Sequence, residues 1–186
     1  MLSFRAFLVS PSGALRSPFA AHLWTREGNR AACQLNSNLN RSDLRARDDN
    51  TPCADPPQRA CACGFSAYPS LEVMARLSSF VNPHYLIGLV SAYGRVIEHT
   101  DSVVRSEYVT VLALTHFLLT PEGYSGQPWQ HHERDVGPTP ERTALAAGLL
   151  GVPYANVSTM REAAAFLDRE AVKYDEPTLA ALSRIP

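Results

Sequence analysis

Hydrophobic and polar positions in the first two thirds of the chain follow the pattern that is typical of strands. FRAFLVS (4–10) is a short apolar run, PSG provides a turn and ALRSPF begins a second extended segment, so we predict an opening hairpin. Between residues 84 and 119, β-branched and aromatic residues dominate and are interrupted at Gly94 and around Thr100–Ser102. This segment carries the strongest strand signal in the chain and predicts two or three strands.

A helical period replaces this pattern in LEVMARLSSF (71–80). Its apolar residues recur at every third position, and Ser70 stands directly before them as a residue that can cap a first turn. The segment therefore predicts one short amphipathic helix between the opening hairpin and the main strands.

The C-terminal segment carries local signals for two helices and a strand. Thr139 is an N-cap residue for a helix that Gly151 would end. VPYANV (152–157) then predicts a short strand. Thr159 and Glu162 have the spacing of a capping box, so a last helix is expected to begin there.

These elements predict an α+β fold, with a mostly antiparallel sheet, peripheral helices and a C-terminal helix-strand-helix unit. We divide the chain into an α+β core at 1–120 with a cysteine-bearing loop region, a linker loop at 121–138 and the helix-strand-helix unit at 139–186. The linker prediction rests on its content of Gly, Pro and charged residues. The C-terminal unit is expected to pack on the core through an apolar face at Leu145, Leu149 and Leu150.

Composition limits the class of protein. The chain has 186 residues, of which 45% are hydrophobic and 19% are charged, so it can bury a real core and is not disordered as a whole. Its formal net charge of -1 provides no overall field that would attract nucleic acid or an anionic membrane. We therefore expect neither a nucleic-acid nor a membrane partner.

The same reading places the protein in the cytoplasm. No segment reaches the roughly 18 consecutive apolar residues of a membrane span. The apolar run at residues 6–9 is too short for the core of a secretion signal. Thiols stay reduced in the cytoplasm, where clustered cysteines indicate a metal site or catalysis more than disulfides.

The cysteines give the sharpest chemical signal in the chain. Three of the four, Cys53, Cys61 and Cys63, lie within eleven residues, and Cys33 precedes them across a long polar loop. Four thiolates suffice for a closed tetrahedral site, so we predict a structural zinc ion that stabilises this loop-rich segment. Cys61 and Cys63 would point to one side of an extended strand. Because Cys33 is distant in sequence, His22 is the alternative fourth ligand.

Two other interpretations of the thiols stay open. The four cysteines could be independent small apolar side chains, since free Cys is among the most buried residue types. Alternatively, Cys61 or Cys63 could be a catalytic or redox thiol with a lowered pKa and a base such as His84 or His99. The sequence contains no P-loop, G-x-G-x-x-G or G-x-S-x-G motif, so nucleotide-dependent and ordinary hydrolase chemistry are not expected.

A second group of polar residues surrounds the predicted turn of the main hairpin. Its members are His99, Asp101, Arg105 and Glu107. We expect them to form a polar binding patch, and the alternative is a turn followed by a cross-strand ion pair. PWQHHERD (128–135) also offers adjacent histidines, but these usually point apart, which favours a solvated loop over a metal site.

The chain also resembles an uncharacterised family of actinobacterial and phage proteins. The resemblance rests on a tryptophan with a G-N-x-A-x-C segment, on C-x-C-G-[FY] and G-x-V-x-x-[WY]-G-[RK]-V segments, on an R-x-E tripeptide, and on a late Y-G-V-P of which this chain has the G-V-P. The matching residues are Trp24, Gly28, Asn29, Ala31, Cys33, Cys61, Cys63, Gly64, Phe65, Gly88, Val90, Tyr93, Gly94, Arg95, Val96, Arg105, Glu107, Gly151, Val152 and Pro153. The resemblance spans about residues 24–170 and implies no activity, because no reaction is assigned to the family. Cys53 stands where the family has a histidine, which keeps a metal-ligand type.

Together these observations favour a small cytoplasmic protein-binding or regulatory module that carries a structural zinc site. The absence of a catalytic motif is the main reason, and the sheet or the polar hairpin would contact a protein partner. The alternative is a cysteine-dependent enzyme or redox protein that uses Cys61 or Cys63.

Overall fold

The computed structural model describes residues 1–18, 20–31, 56–58, 63–77, 81–100, 102–119, 121–122 and 137–174. Within these residues there are eight strands and three helices. The strands are β1 Leu2–Val9, β2 Leu15–Ser17, β3 Ala20–Leu23, β4 Asn29–Arg30, β5 Phe65–Ala67, β6 Leu86–Thr100, β7 Val103–Phe117 and β8 Tyr154–Val157. The helices are α1 Leu71–Leu77, α2 Pro140–Leu150 and α3 Met160–Ala171.

The strands form one mixed sheet that is mostly antiparallel, so the predicted α+β class is confirmed at this level. Its order is β3-β2-β1-β6-β7-β4, and β5 and β8 also pair with β7. Every described pairing is antiparallel except that of β7 with β8. The helix-strand-helix prediction is confirmed in part, because α2, β8 and α3 follow one another in that order.

The sheet curls until its hydrogen bonding closes on itself. β1 pairs with β6, β6 with β7 and β7 with β5. Tyr68, directly after β5, then exchanges two backbone hydrogen bonds of 2.8 Å with Phe4 of β1. This circuit gives the centre of the molecule a barrel-like shape, in which few strand edges stay open.

Both faces of the sheet are buried, which explains the nearly continuous apolar runs in the sequence. One face contains Phe7, Trp24, Phe65 and the inner side of α2, and the opposite face packs against α1 and α3. Successive residues of β1 point alternately to the two apolar faces of the sheet, so FRAFLV does not alternate between apolar and polar residues. No helix in the described part of the chain is long and apolar enough to cross a membrane.

Gly94 marks a bulge rather than the end of a strand. The sequence predicted an interruption there, but β6 continues to Thr100 with a register shift between Tyr93 and Val96. Gly94 has a φ of 73°, and a side chain at this position would begin 2.7 Å from the Tyr108 ring. Glycine therefore permits both the left-handed backbone and the close ring contact.

The ends of the helices follow the local signals in the sequence. Thr139 accepts a hydrogen bond from the third residue of its helix, and Gly151 ends α2 in a left-handed conformation with a φ of 68°. Thr159 and Glu162 form the predicted capping box of α3. Ser70 caps α1 by accepting a hydrogen bond of 3.1 Å from the backbone nitrogen of Val73.

The predicted packing face of α2 was wrong in two of its three leucines. Leu150 is buried, but Leu145 and Leu149 are exposed by 46% and 57%. The buried face consists instead of Thr143, Ala146, Ala147 and Leu150. The alanines are small, so the helix can approach the sheet closely while the two larger side chains stay outside.

Candidate functional site

The structure describes only part of the predicted thiol site. Cys63 is buried, with 1% of its surface exposed, and it precedes Gly64, whose φ of 100° lies in the left-handed region that favours glycine. Cys33, Cys53 and Cys61 lie outside the described residues. No group of three His, Cys, Asp or Glu side chains within the described residues could hold a metal ion. The four-thiolate zinc site stays a prediction.

Glu107 of the predicted hairpin patch forms an ion pair with a residue that the sequence analysis did not name. One of its carboxylate oxygens lies 3.6 Å from Nη2 of Arg30, and the other accepts a 3.4 Å hydrogen bond from the backbone nitrogen of Arg95. Arg30 also lies over the ring of Tyr108, which stacks on Tyr93 with ring centroids 5.4 Å apart. This ion pair joins β4 to β7.

Arg105 lies beside β5, opposite Ser66 in the strand register. A side chain at Gly64 would begin 3.3 Å from Cβ of Arg105, so the two segments touch. Asp101 and the side chain of His99 lie outside the described part of the structure. The four residues of the predicted binding patch are therefore not shown as one cluster, and the patch stays a prediction.

A different cluster is built around Arg5, which occupies the middle of β1 with only 9% of its surface exposed. Its guanidinium carbon lies 5.0 Å from the centroid of the Trp24 ring and 5.8 Å from that of Phe65. Nη2 donates a 2.7 Å hydrogen bond to Oγ of Ser17, and Nη1 donates to the backbone oxygen of Ser66. Burial lowers the pKa of Arg5 to about 10, because the charged form loses its hydration.

His22 forms the half-buried rim of this cluster. Its ring contacts Trp24 and Phe65 edge-to-face, with centroids 5.0 and 4.9 Å apart. Burial lowers the pKa of His22, the charge of Arg5 lowers it further, and the hydrogen bond to Asn29 opposes both effects. The neutral ring is therefore favoured beside the buried guanidinium.

Asn29 determines which ring nitrogen of His22 carries the proton. Its Oδ1 accepts a hydrogen bond from the backbone nitrogen of Thr25, and its Nδ2 donates to the backbone oxygens of Thr25 and Val109. These contacts fix the amide orientation. His22 Nε2, 3.1 Å from the same Oδ1, must therefore be the donor, which leaves Nδ1 without a proton in the neutral ring.

Several buried polar atoms around Arg5 have no hydrogen-bond partner within the described structure. On the sheet face of Arg5 these atoms are Nε of Arg5, Nε1 of Trp24, Oγ of Ser3 and Oγ of Ser106. Ser3 shares the face of Arg5 because it lies two residues away on β1, and Ser106 lies opposite Phe65 in the register. The Arg5 cluster consequently combines a buried positive charge with unsatisfied N–H donors, an arrangement that suits an acceptor ligand.

The sequence analysis named Trp24 and Asn29 only through a family resemblance, named His22 only as a fallback zinc ligand and missed Arg5. A usable signal was present, because Arg5 is the one charged residue within FRAFLVS. A charge in the middle of a strand that is buried on both faces requires an unusual environment.

The outer face of α2 is a second candidate, and it is apolar. Leu145 and Leu149 follow one another at a spacing of four residues and thus share one side of the helix. Apart from its chain neighbours and the backbone of the helix, no described atom lies within 4 Å of the point where a side chain at Gly148 would begin. The opposite side of α2 is buried in the sheet, and the outer side carries the exposed Glu141 in its first turn followed by the two leucines. The leucines therefore form a small apolar patch of the kind that a partner can cover.

Comparison of the chain with protein families, curated proteins and solved structures gives no match. The resemblance to the actinobacterial and phage family therefore stays a prediction. Function has to be argued from the geometry of this chain alone.

Proposed function

We propose that the protein is a small protein-binding or regulatory module of the cytoplasm, and that it binds a partner protein through the outer face of α2. The exposed leucine pair Leu145 and Leu149 is the observation that carries this proposal. Covering both side chains on binding would remove apolar surface from water and thereby stabilise the complex. Complete burial of a fully exposed leucine side chain contributes about 1.5–3 kcal/mol.

The geometry of α2 favours a helical occupant. Leu145 and Leu149 form a short ridge on one side of the helix, and the space around Gly148 beside this ridge is open. A helix of the partner with an apolar side could place a side chain in this space and approach closely. We therefore infer that the partner presents an amphipathic helix.

The support under this surface is rigid. α2 is capped at both ends by Thr139 and Gly151, and its inner side is anchored in the sheet by Ala146, Ala147 and Leu150. Leu145 also lies against the turn between β1 and β2, where a side chain at Gly13 would begin 2.5 Å from its Cγ. A preformed surface loses little conformational entropy on binding, which favours affinity.

The experiment compares two substitutions of exposed leucines. Leu149→Glu places a charge on the proposed surface, whereas Leu119→Glu changes a leucine that is 67% exposed after the end of β7. Proteins captured from the native host by the unchanged chain should lose affinity by at least about tenfold with Leu149→Glu and keep it with Leu119→Glu. Thermal unfolding of both variants checks that the fold is intact.

Two results would contradict the proposal. Equal capture by the unchanged chain and by Leu149→Glu would exclude the α2 surface. A purified protein that turns over a metabolite and repeatedly captures no stoichiometric partner would exclude a binding module altogether.

The alternative function, a cysteine-dependent enzyme or redox protein, depends on the reactivity of Cys61 or Cys63. A catalytic thiolate reacts quickly near neutral pH, and a buried structural thiol reacts slowly until the protein unfolds. The burial of Cys63 leads us to expect slow labelling there. Rapid modification of Cys61 or Cys63 in the folded protein at pH about 6–7, identified by peptide mapping, would favour the enzyme instead.

We also propose a structural zinc ion bound by Cys33, Cys53, Cys61 and Cys63. Thiolates are the preferred ligands of structural zinc, and such a site would link segments that are distant in sequence. Elemental analysis of protein purified without chelator should give one zinc per chain. A zinc content near zero in fully reduced, folded protein would refute the site.

A further inference from the structure

We propose that Arg5, Trp24 and His22 form a binding site for a small oxyanion that carries a carboxylate or a phosphate group. This site is distinct from the α2 surface and does not depend on the proposed protein-binding function.

The buried charge of Arg5 lacks a counter-charge. The guanidinium is buried, and the described residues place no carboxylate within ion-pair distance of it. Within the described structure its hydrogen bonds and ring contacts are with Ser17, Ser66, Trp24 and Phe65, which carry no charge. The phenol of Tyr68 also acts on it electrostatically and is neutral near pH 7. Charged side chains are almost never fully buried unless they are paired, so a bound anion would provide the missing counter-charge.

Two buried donors of the site also lack hydrogen-bond acceptors. Within the described part of the chain, Nε of Arg5 and Nε1 of Trp24 have no acceptor, and the two side chains touch each other. Neither group can accept a hydrogen bond, so the ligand must supply acceptors. A water molecule could satisfy the donors but would leave the charge uncompensated. An oxyanion would satisfy both, and its bonds to the guanidinium would be charge-assisted.

His22 gives the Arg5 cluster an edge that solvent reaches. Its ring is half-buried and contacts the rings of Trp24 and Phe65. Asn29 accepts a hydrogen bond from Nε2 of His22, and this bond prevents the imidazole ring from turning freely. We infer that the ligand enters beside this ring and comes to lie near both Arg5 and His22.

Two N–H groups of the site can report binding directly. The indole N–H of Trp24 and the Nε–H of Arg5 have no acceptor within the described structure. An anion that accepts hydrogen bonds from them would shift their NMR signals. NMR titration of the full chain, with and without inorganic phosphate or acetate and with chloride for matched ionic strength, measures this change. Trp129→Phe simplifies the assay, because only two tryptophans are present.

Saturable shifts of the Trp24 indole N–H signal and of the Arg5 Nε–H signal would support the site, and the Arg5 signal also measures affinity in variants of Trp24. A response to phosphate alone identifies a phosphate ligand, and a response to acetate identifies a carboxylate ligand. No saturable response to either anion would overturn the proposal and assign the donors to buried water.

Two substitutions separate binding from folding. Trp24→Phe keeps an aromatic ring against Arg5 but removes the indole N–H, so affinity should fall by about tenfold, as the loss of one hydrogen bond to a charged group implies. Arg5→Gln removes the charge and should abolish the response. If Arg5→Gln does not fold, Trp24→Phe still decides, because unchanged affinity in that variant would refute the site.

Discussion

Gly88 of β6 lies directly against the ring of Phe7, and this contact gives a quantitative test of the core. A side chain at Gly88 would begin 2.5 Å from Cε2 of Phe7 and 3.3 Å from the backbone oxygen of Ala113. Phe7 is fully buried and is held by an edge-to-face contact with Trp24, whose ring centroid is 5.0 Å away. The ring cannot move into solvent, so Gly88→Ala should force a rearrangement of the core.

The expected magnitude follows from two opposing effects. Overpacking a well-packed core costs about 1–3 kcal/mol. Alanine also restricts the unfolded chain more than glycine does, which returns about 0.4–1 kcal/mol. We therefore expect Gly88→Ala to lower the free energy of unfolding by up to about 2.6 kcal/mol.

When Phe7 is replaced by leucine, Gly88→Ala should destabilise the protein less or even stabilise it, because leucine lacks the Cε2 atom that the new methyl group would meet. By itself, the loss of buried ring atoms should cost about 1–2 kcal/mol. In the Phe7→Leu background, Gly88→Ala should be neutral within about 0.5 kcal/mol or slightly stabilising, so the coupling energy should reach about 1 kcal/mol.

Urea unfolding of the unchanged chain, both single variants and the double variant measures this coupling. Far-UV circular dichroism reports the fold, and equal m-values establish that all four proteins expose similar surface on unfolding. If Gly88→Ala costs the same in both backgrounds, the ring contact does not limit the packing at this position and the reasoning fails.

Three further predictions concern other parts of the fold. Thr159→Ala removes the side-chain half of the capping box and should cost about 1 kcal/mol, whereas the control Ser158→Ala, at an exposed position, should cost almost nothing in the same urea assay. Gly94→Ala should lower the melting temperature, because position 94 has a φ of 73° and a side chain there would meet a tyrosine ring; an unchanged melting temperature would contradict the bulge. Burial lowers the pKa values of His22 and His116 below their ordinary 6.5. The unfolded chain therefore binds more protons, and the stability present above about pH 6.5 should be lost as pH falls further. Melting temperatures that rise on acidification through this range would refute the assignment.

The ends of the helices and the main hairpin could be predicted from the sequence because their signals are local. Thr139, Gly151 and the Thr159–Glu162 pair act on backbone groups within one helical turn. The hairpin of β6 and β7 likewise follows from two long β-branched runs around a polar turn. The capping groups are separated by few residues, and the two hairpin strands are consecutive in the chain and joined by a short turn, so the sequence shows both features without knowledge of distant segments.

The orientation of α2 could not be predicted in this way. Leu145, Leu149 and Leu150 are equally apolar in the sequence, but only Leu150 enters the core. The choice depends on how closely the helix approaches the sheet, and the small residues Ala146 and Ala147 allow the closer contact. Packing distance is a property of two elements together, so no periodicity within one of them reveals it.

The Arg5 cluster shows the same division between local and tertiary information. The sequence by itself determined that an arginine stands within an apolar strand. Only the tertiary structure decided that Trp24 and Phe65 cover its guanidinium, that Ser17 and Ser66 accept from it, and that its Nε is left without an acceptor. The backbone hydrogen bonds between Phe4 and Tyr68 bring Phe65 and Ser66 beside β1, although more than sixty positions of the chain separate the two segments. Such contacts form only when the sheet curls and closes, because burial of both faces, rather than any local propensity, selects which distant strands meet.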